Sequence, residues 1–127
     1  MYTPIMIDRV WLPKCLIDTG SQVNMIPTKD VTAHGFKYFP GGIQSVRGYD
    51  GREGKILGKM GVKLLFGPAK RVKSADFLVS SDIRCPIIGM PTLKKFGFTI
   101  DCKNHSLNSV ETGEVVRCSA VTIDPKN

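Results

Sequence analysis

At 127 residues the chain has the length of one domain, with 42% hydrophobic residues, 23% charged residues and a formal net charge of +7. The two percentages are ordinary for a soluble globular chain, whereas the net charge is notable. No apolar run reaches the length of a membrane-spanning helix, and the opening MYTPIMIDRV lacks the basic and long apolar segments of a signal peptide.

Thirteen glycines and eight prolines punctuate short apolar runs, the pattern of an all-β domain with many turns. IMI (5–7) and VWLPKCLI (10–17) predict two strands joined tightly at Asp8-Arg9. QVNMI (22–26) predicts a third, stopped by Pro27. Residues 28–42 are turn-rich and weakly patterned. The stretch 43–67, IQSVRGYDGREGKILGKMGVKLLFG, predicts a long hairpin whose tip carries Asp50-Gly51, a pair suited to positive φ. ADFLVS (75–80) and CPIIG (85–89) predict two more strands. PTLKKFG (91–97) predicts one short helix, with Pro91 in its first turn and Gly97 at its stop. FTIDCKNHSL (98–107) predicts a strand and a Lys-Asn-His turn, and EVVRCSAVTI (114–123) a final strand after the Thr112-Gly113 turn. The expected fold is a closed or nearly closed β-barrel with one small helix.

Cys15, Cys85, Cys102 and Cys118 are scattered, form no C-x-x-C pair and have only His34 and His105 to assist them. The expectation is buried reduced thiols, with neither a zinc site nor another metal. Lys and Arg concentrate between Lys55 and Lys73. A solvated strand face accounts for them better than a nucleic-acid footprint. Lys59, Gly61 and Lys63 alternate with Met60, Val62 and Leu64, and the aromatic–basic interleaving of a stacking platform is missing.

CLIDTGSQVNMIP (15–27) is the informative stretch. Leu16 and Ile17 carry a strand into the core, and Asp18 emerges at its end, where desolvation penalises a charge. Thr19 offers a hydroxyl to backbone, Gly20 permits close approach, and Ser21 is placed to donate toward the carboxylate. The expected local structure is a tight loop presenting a carboxylate among fixed donors. Asp-Thr-Gly also suits an ordinary turn, because Asp and Thr bond their own backbone well.

LIDTGS resembles the active-site motif of aspartic proteases, and PIIGM (86–90) resembles the apolar-apolar-Gly segment that packs beside it. The order, spacing and single copy resemble retropepsins, the half-sized proteases of retroviruses and LTR retrotransposons, from about Ile5 to Leu107. IIGMPTLKKFGFTID looks most similar to the gypsy-type pattern. The resemblance implies a catalytic Asp18-Thr19-Gly20 with Ser21 favouring the charged carboxylate, and a structural Ile88-Gly89. It implies a substrate-closing flap at Gly48, Tyr49, Asp50, Gly51 and Gly54. It also implies substrate contacts from Gly20, Gln22, Val23, Met25, Tyr49, Ile56 and Ile87. For Val23, Met25 and Ile87, plain core packing is the competing reading. Pro91 and Gln22 stand where relatives often carry Asp or Asn, and Asp, respectively.

Acid–base hydrolysis of this type needs two carboxylates sharing one proton. The chain offers no second Asp-Thr-Gly, so the resemblance implies a C2 homodimer in which Asp18 meets its own copy. Residues 1–107 form the expected protease domain. Residues 108–127 are an extension that supplies a dimer-interface strand or serves as a linker. The expected activity is an aspartic endopeptidase cutting an extended Gag/Pol-type polyprotein, without cofactor, inside the cell or a virus-like particle, the chain being a piece of that polyprotein. The alternatives are a catalytically silent domain kept for dimerisation or peptide binding, and a small basic β-barrel that binds nucleic acid.

Overall fold

The computed structural model describes residues 1–47, 53–67 and 69–120. Among the described residues, ten strands and two short helices run in the order β1 (Tyr2–Ile7), β2 (Val10–Asp18), β3 (Asn24–Pro27), α1 (Thr28–His34), β4 (Phe39–Arg47), β5 (Glu53–Phe66), β6 (Lys73–Ser80), β7 (Ile87–Gly89), α2 (Met90–Lys95), β8 (Phe98–Asp101), β9 (Ser106–Ser109) and β10 (Val115–Arg117). Seven strands form one sheet in the order β1-β2-β7-β3-β6-β5-β4, and β1 also pairs with β5. That extra pairing closes six strands into a barrel and leaves β4 outside it. Closure removes two exposed sheet edges.

The alternation along each strand decides which face turns inward. In β5, Met60, Val62, Leu64 and Phe66 are buried while Lys59, Gly61 and Lys63 face out. The Asp8-Arg9 turn between β1 and β2 holds both residues at positive φ, 46° and 73°. Such a turn matches the right-handed twist of the flanking strands. Asp8 pins it to β5 by accepting the Lys63 N–H at 2.8 Å through Oδ1.

β8, β9 and β10 form a second, three-stranded sheet. It joins the barrel's core through Leu107 and Val116, both fully buried. Phe66, Phe96 and Phe98 knit the junction: Phe66 meets the other two edge-on at 4.9 and 5.1 Å between ring centres. Arg71 clamps the same junction, pairing with Glu111 at 2.6 Å and donating to Phe96 O and Ser109 Oγ.

Two features differ from the sequence expectation. Residues 28–34, weakly patterned in sequence, form α1, which ends on Gly35 at φ 67° and buries only Val31. One apolar anchor over so short a helix gives no readable period. The expected boundary at Leu107 falls inside β9, and β10 pairs with β9 within the chain. Ser119 and Tyr2 then exchange backbone hydrogen bonds at 2.7 and 2.8 Å, so among the described residues the fold continues past Leu107 to Ser119.

Candidate active site

β2 delivers Asp18. Alternation at its end sends Ile17 into the core and leaves Leu16 and Asp18 half-buried on the opposite face. The chain then reverses: Ser21 N–H donates to Asp18 O at 3.1 Å, and Gly20 N–H donates to the Asp18 carboxylate at 2.9 Å. The second bond fixes the carboxylate's orientation. A Cβ at Gly20 would lie 3.3 Å from that same Oδ1, so a larger residue would press on the acceptor. Thr19 and Gly20 are exposed, and the turn opens outward.

β7 runs parallel to β2 and pairs Leu16 with Ile87, Ile17 with Ile88 and Asp18 with Gly89. Gly89 is buried because the loop lies directly on it. A Cβ there would come within 2.6 Å of Val23 O and 2.8 Å of Ser21 O, both backbone atoms. Met90 N–H donates to Ser21 O at 2.9 Å and fastens the loop from the same side. Pro91 occupies the first turn of α2, where its missing N–H costs nothing.

A residue that sequence reasoning missed holds this junction together. Asn24 is 6% exposed. Its Oδ1 accepts the Gly89 N–H at 2.9 Å, and its Nδ2 donates to Thr92 Oγ1 at 2.6 Å and to Asp76 O at 3.0 Å. One amide thus ties β3 to β6, β7 and α2 immediately behind the Asp18 turn. The signal in the sequence was a lone Asn within the apolar QVNMI, a polar group that must find partners if buried.

Ser21 behaves otherwise than expected. Its hydroxyl donates to Val23 O at 2.7 Å and accepts from Val23 N–H at 3.3 Å. The single hydroxyl proton is committed within the turn, so Ser21 shapes the loop and does not donate to the Asp18 carboxylate.

The remaining site residues fall into two groups. Met25 pairs with Ile87, which pairs with Leu16, so these three form a cross-strand row on the face that carries Asp18. Leu16 joins the candidate subsite by its place two residues before Asp18. Met25 and Ile56 are buried, at 8% and 4% exposure, yet both lie outside the main core cluster. Val23 is half-buried beside them in sequence, and Gln22 is exposed. In the flap region, Gly48, Tyr49, Asp50 and Gly51 lie outside the described residues, while Gly54 pairs with Val46 in the hairpin stem. Lys55 N–H donates to Asp82 at 2.6 Å and anchors that stem to the 81–86 loop.

Four other aspartates serve elsewhere. Asp8 pins Lys63, Asp76 pairs with Lys59 at 3.3 Å, Asp82 holds Lys55, and Asp101 builds the β8–β9 turn. The four cysteines are free: Cys15 is buried, Cys85 and Cys118 are half-buried, and Cys102 is exposed, contrary to the expectation of buried thiols throughout. Among the described residues no three metal-ligating side chains gather.

A closed barrel that presents Asp-Thr-Gly from one strand end, backed by an apolar-apolar-Gly strand and a short helix, is the architecture of a retropepsin-like domain. Solved structures agree. The retroviral protease-like domain of Ddi1 from Leishmania major superposes with a TM-score of 0.73 at 22% identity, covering 94% of each chain. The EIAV protease, complexed with an inhibitor, gives 0.65 at 19% identity over 80% of this chain and 91% of its own. A retropepsin-like aspartic protease from Rickettsia conorii gives 0.55 at 21% identity over 79% and 75%. No family profile and no curated protein sequence matches the chain. The chain has the retropepsin-like fold.

Proposed function

We propose that the chain is an aspartic endopeptidase that works as a two-fold homodimer, with Asp18 of each subunit supplying half of the catalytic dyad. The observation that carries this reading is the presentation of Asp18: half-buried at a strand end, oriented by the Gly20 N–H, in a turn that opens outward. Two such carboxylates brought together on a two-fold axis share one proton, because like charges at contact distance do not both ionise. The ionised member takes a proton from a bound water, and the protonated member donates to the scissile carbonyl oxygen. Thr19 and Gly20 complete the turn on which the two copies meet.

The substrate is an extended peptide held between the dyad and the hairpin of β4 and β5. Leu16, Met25, Ile56 and Ile87 supply apolar walls, which favours apolar side chains beside the scissile bond. The flap that the sequence resemblance implies, Gly48, Tyr49, Asp50, Gly51 and Gly54, closes over the peptide. The outer edge of β10, which has no strand partner among the described residues, supports a role for the C-terminal segment in the dimer sheet. The gypsy-like IIGMPTLKKFGFTID supports a retrotransposon polyprotein of Gag/Pol type as substrate, processed in the cytoplasm or a virus-like particle.

Incubation with a peptide mixture, with Asp18→Asn as control, tests the reading. Turnover by the native chain that the variant abolishes supports it, and turnover that survives the substitution excludes the dyad. Sedimentation of the native chain reports the dimer directly.

A further inference from the structure

The +7 charge is not used by the proteolytic reading, and the fold groups part of it with an exposed aromatic. Trp11 on β2 pairs with Met6 on β1, and Met6 pairs with Leu65 on β5. Directly paired residues project to the same face, so the three form a row across the outside of the barrel. Trp11 is 48% exposed, and Met6 and Leu65 are half-buried.

Cations border this row. Lys63 lies two residues from Leu65 on the same outer face, and its Nζ reaches Ser74 Oγ at 3.1 Å. Lys95 comes in from α2 and donates to Ser74 O, which sets a second ammonium beside the same residue. Arg9, exposed in the β1–β2 turn, stands two residues from Trp11. Two carboxylates share this side of the barrel. Asp76 pairs with Lys59, and Asp8 accepts the Lys63 backbone N–H. Among the described residues neither makes an ion pair with Arg9, Lys63 or Lys95.

We propose that this face binds single-stranded nucleic acid, with Trp11 as the stacking platform and Arg9, Lys63 and Lys95 as phosphate contacts. Linear sequence hides the arrangement, because the basic stretch and the tryptophan come from different strands. A base has a π-face for Trp11, and its backbone has charges for the three cations. A membrane surface fits less well: two of the three apolar side chains are already half-covered, which leaves little area to insert. The site is independent of Asp18 and of the proteolytic reading.

The chain has one tryptophan, so its intrinsic fluorescence reports this site alone. Titration with short oligo(U) is expected to quench it, with log affinity falling linearly in log salt. By anisotropy of a labelled oligo(U), the Lys63→Gln/Lys95→Gln variant is expected to lower the salt slope by about 0.7 per charge removed. Trp11→Ala is expected to weaken binding about ten-fold and leave the slope unchanged. Unquenched fluorescence, or a slope that the double variant leaves alone, overturns the proposal. So does a response to phosphatidylserine vesicles without one to oligo(U), which would assign the face to a membrane. Protein-concentration-dependent burial of Trp11 without nucleic acid would assign it to a second copy of the chain, and also overturns it.

Discussion

Asn24 and Gly89 are joined by a buried 2.9 Å hydrogen bond in which the amide oxygen accepts the N–H of the residue paired with Asp18. Removing that side chain strands the Gly89 N–H and two further partners, Thr92 Oγ1 and Asp76 O, in a place water does not readily reach. Unsatisfied buried groups of this kind cost roughly 1–3 kcal/mol apiece, and local relaxation recovers part of it. Asn24→Ala is therefore expected to lower unfolding free energy by about 2–3 kcal/mol in urea denaturation. A loss within about 0.5 kcal/mol, the range of ordinary surface changes, would show that the network is dispensable.

Gly89→Ala tests the same junction from the other side. The added methyl would meet the Val23 and Ser21 carbonyl oxygens at 2.6 and 2.8 Å, and backbone does not swing away as a side chain does. Overpacking of this kind costs roughly 1–3 kcal/mol and here displaces the Asp18 loop. Gly41→Ala is the control, because a Cβ there meets nothing within 4 Å. The expected outcome is a lowered melting temperature for the first variant only. Equal melting temperatures would refute the steric account.

How far the sequence was legible follows from the length scale of each signal. The β1–β2 hairpin and the outward lysines of β5 were readable because strand alternation has a period of two and needs only neighbours. α2 was readable from Pro91 and from Gly97, which adopts φ 68°. α1 was not, since only Val31 anchors it. Asp18 stood out through its motif, whereas Asn24 did not. Its partners lie 52, 65 and 68 residues away, and no local pattern announces such bonds. Ser21 was misread for the reverse reason. The competing acceptor, Val23 O, is only two residues off, and that local turn took the hydroxyl.

Ser21→Ala follows from that correction. The substitution removes one donated and one accepted hydrogen bond inside the turn, at an expected cost of about 1 kcal/mol. Because the hydroxyl proton goes to Val23 O, the acidic limb of any pH–activity profile is expected to stay where it is. An acid limb displaced to higher pH in the variant would restore a direct contact with the carboxylate.

Thiol chemistry should rank the cysteines by their surroundings. Burial pushes the Cys15 thiol well above its ordinary range, and the nearby Cys85 raises it further. Burial also raises Cys85 and Cys118, with smaller opposing effects from backbone and side-chain hydrogen bonds and from neighbouring positive charge. Cys102 is exposed in the β8–β9 turn. Iodoacetamide labelling followed by peptide mapping is expected to modify Cys102 first and Cys15 last, the latter at the rate of unfolding. Early labelling of Cys15 in the folded chain would contradict its placement in the core.

Asp101 gives the fold a pH dependence of known sign. The Asn104 side-chain amide and then its backbone N–H hold the carboxyl below the ordinary range against an opposing effect of desolvation, with lesser help from the Lys103 N–H and from His105. The bonds measure 2.8 Å from Asn104 Nδ2 and 3.0 Å from each backbone N–H. A carboxyl whose folded pKa is lowered binds its proton more readily in the unfolded chain. Its stabilisation is therefore complete above the unfolded value, about 3.9, and is lost as pH falls through the folded one. Native protein is expected to melt above Asp101→Ala at neutral pH, with the gap closing as pH drops below about 4. The same substitution should loosen the turn that sets the β8–β9 register, Asp101 opposite Ser106, which amide hydrogen exchange at Lys103 and Asn104 would report. A gap independent of pH would mean that the turn is held by its backbone geometry, with His105 at φ 51°, and not by the carboxylate.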